Sequence, residues 1–209
     1  MSPRPLLFVG AFFWMAVVGA GFAALARYDN APGALGERTP SRWPPLSRLS
    51  RTPGLPNLIV MLHPQCPCSR ATLGNLERAM PELQDKTQVH LVFVHRDTED
   101  RRDDNALLRI AKAIPGTEIF QDQAGREAEL FGVLTSGETL LYSREGTLLF
   151  HGGITFGRSH EGGNPGLSAI VEFIRHGVAN RSSTSVFGCA LMQLPKHQAT
   201  VNHSTGAVQ

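Results

Sequence analysis

The apolar positions of this chain form one long uncharged run followed by short buried runs separated by polar, glycine- and proline-bearing segments. Residues 5–26, PLLFVGAFFWMAVVGAGFAALA, carry no charged side chain. A stretch of that length spans a hydrocarbon core of roughly 30 Å as a helix. Two readings fit it. Ala24-Leu25-Ala26 resembles the small-residue site of a cleaved signal peptide, but a signal's apolar segment usually holds only about 7–15 residues, so the length favours an uncleaved transmembrane anchor over residues 1–27. Arg4 precedes the span and Arg27, Arg38 and Arg42 follow it, so the positive-inside rule does not fix its direction. The short N-terminal tail, typical of export signals and anchors, favours a body on the periplasmic side. Residues 28–57 hold Pro32, Pro40, Pro44, Pro45, Pro53 and Pro56 and show no periodicity. They are predicted to be a proline-stiffened linker.

From Leu58 onward the pattern alternates between strand and helix. Leu58 to Leu62 and Val89 to Val94 are continuous apolar runs that predict buried strands. Between them Leu73, Leu76 and Met80 mark one helix face, with Ser69 as its expected cap. Asp97 and Thr98 open a charged helix whose apolar face holds Leu107, Leu108, Ile110 and Ala111; its run DTEDRRDD reads as a solvated first turn. A short edge strand is predicted over Thr117 to Phe120, a turn over Asp122 to Gly125, and a short helix over Arg126 to Phe131. Thr139 to Ser143 and Thr147 to His151 flank Arg144-Glu145-Gly146 as a hairpin. Asn164-Pro165 supplies an N-cap and a first-turn proline for a last helix over Gly166 to His176. The order β-α-β-α-(β)-α-β-β-α implies an α/β domain over 58–178, with a mixed sheet and helices on both faces. Residues 179–194 form an extension, and 195–209 lack periodicity and read as a disordered tail.

Composition narrows the function. Of the 209 residues 42% are apolar, and the formal net charge is +2. The basic residues are scattered without a stripe that tracks a phosphate backbone, which excludes nucleic acid as the expected partner. The informative chemistry lies in HPQCPCSR at 63–70, where two of the three cysteines, Cys66 and Cys68, flank Pro67 at a helix start. Unsatisfied N–H groups and partial positive charge at that position lower a cysteine pKa. A disulfide between cysteines one residue apart closes a strained ring, and strain raises its reduction potential.

The stretches HPQCPCSR (63–70), FGVLTSGETLLY (131–142) and SREGTLLFHGGI (143–154) resemble the thioredoxin-like superfamily. The combination CPCSRAT, SGETLLY, GGIT and HEGGN more closely resembles small membrane-anchored bacterial RedB proteins. The resemblance implies thiol–disulfide exchange with protein thiols or disulfides, at a membrane and outside the cytoplasm. Two departures stand out. One residue separates the cysteines where thioredoxins have two, and pairing Pro67-Cys68 with the family's Pro-Cys leaves Gln65 at the first cysteine position. The family's cis-proline falls at Gly137, where a cis peptide is not expected, so the strand-pairing surface for substrate peptides is in question.

In that topology the last helix runs away from the active-site edge for about 18 Å, and the extended segment after it reaches roughly 40 Å. Cys189 therefore has the reach to return as a resolving thiol. The same topology brings the loop 152–164 to the site: Arg158 or protonated His160 would stabilise a thiolate, His160 would also shuttle protons, and Glu161 lies beside it. His63 reads either as part of the site or as a strand-end surface residue. Cys66 and Cys68 are thus the expected redox pair, with no bound cofactor. The alternative is a copper(I) or zinc carrier or sensor using Cys66, Cys68 and Cys189 with His63 or His160. A peroxidase is disfavoured because His63 stands where peroxiredoxins place a threonine, three residues before Cys66. A degenerate domain used for binding remains the bland reading.

Overall fold

In the computed structural model the described residues are 4–95 and 106–191. The helix expected to open at Asp97, including the run DTEDRRDD, begins outside them, as does the tail from 195. The chain divides into two units, Met1–Pro32 and Gly33–Gln209. The first holds α1 (Arg4–Asp29), whose segment Phe8–Asp29 is long and apolar enough to cross a membrane and is buried by nothing in its own unit.

The second unit carries β1 (Asn57–Leu62), α2 (Pro67–Leu83), β2 (Gln88–His95), α3 (Ala106–Ala113), β3 (Thr117–Gln123), α4 (Arg126–Leu130), β4 (Glu138–Tyr142), β5 (Leu148–Gly153) and α5 (Pro165–His176). The strands form one mixed sheet in the order β3-β2-β1-β4-β5, parallel from β3 to β1 and antiparallel from β1 to β5. Every residue of β1 is buried because both faces of this central strand are covered. Alternation sends Leu58, Val60 and Leu62 into a core with Leu73 and Leu76 of α2 and Ala169 and Ile170 of α5. Ile59 and Met61 face the opposite core, with Phe131, Val133, Leu140 and Tyr142.

That second face corrects the reading of residues 28–57 as a linker. From Gly33 the segment belongs to the domain. The Trp43 ring meets Phe131 and Tyr142 edge-on at 5.2 and 5.4 Å, and Leu49 is buried in the same cluster. Backbone bonds tie the segment to the hairpin: Trp43 N–H donates to Gly146 O at 2.8 Å, and Leu148 N–H to Ser41 O at 2.9 Å. Prolines set the path of this strap, and Trp43 and Leu49 pin it to the sheet.

A second strap follows α5. Its backbone joins the outer edge of β5, with His151 N–H donating to Ser182 O at 3.0 Å. Val186 and Leu191 are buried further along. The sheet face opposite α2 and α5, and the β5 edge, are thus closed by irregular chain. A soluble fragment starting at residue 33 is expected to be more stable than one starting at 57 by about 3–5 kcal/mol, the loss typical of large buried side chains. Chemical denaturation of the two fragments measures the difference.

Candidate active site

The site is built where β1 hands over to α2. Cys66 is the N-cap residue, extended at φ −83° and ψ 119°; Pro67 opens the helix, and Cys68 lies in its first turn. Ser69, expected as the cap, sits inside the helix instead. Its hydroxyl donates to His63 O at 3.1 Å and lies 2.8 Å from the Ser136 hydroxyl. Ser136 Oγ also accepts from His63 N–H at 2.8 Å. These buried bonds clamp the cysteine turn to the loop that precedes β4.

That loop has no cis peptide. Gly137 adopts φ +90° and donates its N–H to Met61 O at 2.7 Å, a conformation glycine reaches without cost from a side chain. A Cβ there would meet Thr72 Oγ1 at 3.0 Å. The loop is held by the buried Glu138 carboxylate, which accepts from Leu134 N–H at 3.1 Å and Thr135 N–H at 3.3 Å and is paired with His151.

The C-terminal strap runs across this loop. Ser136 N–H donates to Cys189 O and Leu191 N–H to Leu134 O, each at 2.8 Å, and Thr135 bridges Ala190 antiparallel. Gly188 approaches so closely that a Cβ would lie 1.8 Å from Ser136 O. The consequence is chemical: the strap delivers Cys189 to Cys66. Cys66 Sγ accepts first from the Cys68 thiol, then from the Cys189 thiol, and from the backbone N–H groups of both. Burial opposes ionisation, yet these donors hold the Cys66 thiol at about 4, far below the ordinary value. Cys68 moves the opposite way, because its proton is committed to Cys66, its side chain is buried, and the Cys66 charge opposes a second one. The pair shares one proton between two sulfurs. All three cysteines are unbridged; Cys66 and Cys68 are buried and Cys189 is exposed.

The other expected residues are placed differently. His160 is exposed, with its ring 6.2 Å from that of Phe156. The loop turns Ser159 to the sulfurs instead, its hydroxyl 3.8 Å from Cys68 Sγ. Ser159 has φ +54°, a left-handed conformation costly for a residue with a side chain and frequent at functional sites. Arg158 donates to Gly188 O at 2.9 Å and so holds the strap. Glu161 pairs with Arg78 at 3.0 Å on the outer side of α2. His63 is buried rather than a surface residue, and its Nδ1 accepts from Gln65 N–H at 3.3 Å. Among the described residues no group of three or more His, Cys, Asp or Glu is arranged to hold a metal ion. Ser136 and Ser159 were not singled out by the sequence.

The sheet order, the α2 crossover between β1 and β2, and the cysteines at the start of α2 define a thioredoxin-like fold. No family model matches the chain, and no curated protein matches it. Solved structures similar to it include a hypothetical protein from Sinorhizobium meliloti 1021, 16% identical, covering 65% of this chain and 78% of that one with a TM-score of 0.51. An uncharacterized conserved protein from Geobacillus kaustophilus is 13% identical and covers 80% and 91%, with a TM-score of 0.55. A thioredoxin-like protein in the oxidized form is 17% identical and covers 72% and 97%, with a TM-score of 0.49. At such identities the likeness is one of fold.

The proton arrangement has a spectroscopic consequence. One cysteine should absorb as thiolate from about pH 8 down to about pH 6, since a lowered pKa keeps the anion as pH falls. Its loss belongs near pH 4. Cys68→Ala removes the strongest donor and should move that loss upward by about one pH unit or more, equivalent to about 1.4 kcal/mol of anion stabilisation. Ultraviolet titration of the reduced protein reads both. Gly188→Ala should lift Cys189 from Cys66 and raise the same midpoint by a smaller step.

Proposed function

We propose that this chain is a membrane-anchored thiol–disulfide exchange protein, with α1 as its anchor and the thioredoxin-like unit on the periplasmic side. Convergence of the other two cysteines, Cys68 and Cys189, on one buried thiolate, Cys66, carries this reading. A thiolate is the species that attacks a disulfide, and the thiol of lower pKa is also the better leaving group. Cys66 thus serves in both directions of exchange, with Cys68 or Cys189 as the thiol that closes a disulfide on it. The resemblance to RedB proteins in CPCSRAT and SGETLLY agrees with an anchored redox role.

The parts divide the work physically. The N–H groups of Cys68 and Cys189 solvate the Cys66 anion in place of water. Cys68 holds the shared proton, and the Ser159 hydroxyl beside it is the adjacent group able to relay that proton outward. Cys66 to Cys68 closes a strained ring, so that disulfide would act as an oxidant of other thiols; Cys66 to Cys189 spans a much longer loop and needs no tight ring. The partners are protein thiols or disulfides.

The reading is tested with the full chain in detergent, reduced and then exposed to glutathione disulfide. The expected product has lost two hydrogens, and Cys66→Ser should leave exchange below about 1% of wild type, because the remaining cysteines lack its donor set. An unchanged mass in the wild-type protein, or an unimpaired Cys66→Ser variant, would overturn it.

A further inference from the structure

The three sulfurs differ in access. Cys66 and Cys68 are 3% and 4% exposed, whereas Cys189 is exposed. The backbone edge at Leu134–Ser136, beside Cys66, is already paired with Cys189–Leu191 of the same chain. An incoming extended peptide finds that edge occupied, and the closeness of Gly188 to Ser136 leaves no room for a second strand between them. Arg158 fastens the same segment through Gly188 O at 2.9 Å, and Gly33 N–H does so through Val186 O at 2.8 Å. Outside molecules therefore meet Cys189 before they meet the pair beneath it.

We propose that Cys189 is the sulfur that carries the mixed disulfide with outside thiols, and that Cys66 is the internal partner it exchanges with. This inference rests on the exchange reading above and assigns the entry point of that site. With the Cys66–Cys189 disulfide formed, an outside thiolate RS⁻ attacks the exposed Cys189 Sγ. The Cys189–SR bond forms, the Cys66–Cys189 bond breaks, and Cys66 leaves as thiolate into its cradle of donors. A second thiolate of the same partner then attacks the R sulfur. The partner's disulfide forms, the Cys189–SR bond breaks, and Cys189 takes up a proton. The partner loses two electrons and the protein disulfide gains them. In reverse, Cys189 gives its proton to solvent and attacks a partner disulfide, one partner sulfur leaving as thiolate; the Cys66 thiolate then attacks Cys189 Sγ, the Cys66–Cys189 bond forms and the other partner sulfur leaves. The substrate class is a flexible dithiol or a small thiol able to reach one exposed sulfur, rather than a peptide that must add a strand to the sheet.

The test uses the full chain in detergent, as wild type and as Cys68→Ser. Each is oxidised with glutathione disulfide, and the disulfide formed is mapped by peptide mass spectrometry. Each is then mixed with reduced glutathione and quenched at short times with N-ethylmaleimide. Cys66–Cys189 bridging, followed by glutathione on Cys189 and maleimide on Cys66 in at least tenfold excess over the inverse, is the expected result. Glutathione mainly on Cys66, or equally on both, overturns the proposal. So does a wild-type protein that forms Cys66–Cys68 with Cys189 alkylated from the start, an outcome that leaves the exchange reading intact. A wild type that forms no disulfide at all defeats the exchange reading and this proposal together. Should Cys68→Ser misfold, the wild-type mapping decides alone.

Discussion

The donation of hydrogen bonds onto Cys66 Sγ from two separate parts of the chain is the interaction around which the site is arranged. A buried thiol in apolar surroundings resists ionisation, and a helix start alone offers partial compensation. Here the first turn of α2 contributes the Cys68 thiol and N–H, and the C-terminal strap contributes those of Cys189. The sheet fixes the first set through β1. The second set depends on the strap pairing with Leu134–Ser136, which in turn depends on how that loop is shaped.

The shape of the loop shows how this chain manages without a proline where thioredoxins carry their cis-proline. Gly137 turns the backbone at φ +90° and bonds to the end of β1. The next residue, Glu138, is wholly buried, and its carboxylate accepts from Gly36, Leu134 and Thr135 as well as pairing with His151. A buried carboxylate without such partners would be costly. The Ser69, Ser136 and His63 bonds perform the same service on the cysteine side. Local hydrogen bonding has taken over what a fixed imide ring does elsewhere, and it leaves the loop's outward edge free for the chain's own strap.

Much of the fold was legible because its elements are periodic. The buried runs at 58–62 and 89–94, the i, i+3, i+7 spacing in α2 and the Asn164-Pro165 start of α5 each state their structure locally; Asn164 Oδ1 does accept from Leu167 N–H at 2.8 Å. Residues 33–56 were misread because their anchors, Trp43 and Leu49, are isolated among prolines, and a strap needs no period. The same limit applied to loop 152–164. Its arrival at the site followed from topology, but which side chain turns inward is set by the left-handed backbone at Ser159, so Ser159 rather than His160 meets the sulfur. Arg158 reached Gly188 O because the strap lay there, a fact that no local pattern encodes.

The strap that completes the Cys66 environment also sets when that environment exists. Cys189 and Cys66 lie nearly the whole domain apart in sequence, so their meeting must await the sheet, the hairpin and α5. Until those close, the Cys66–Cys68 turn has lost half of its donors and none of its accessibility. A nascent chain emerging from N-terminus to C-terminus therefore exposes a less ionised cysteine pair for most of its synthesis, and it acquires its full reactivity among the last events of folding. Maturation of the thiolate is in this sense a report that the domain has been built.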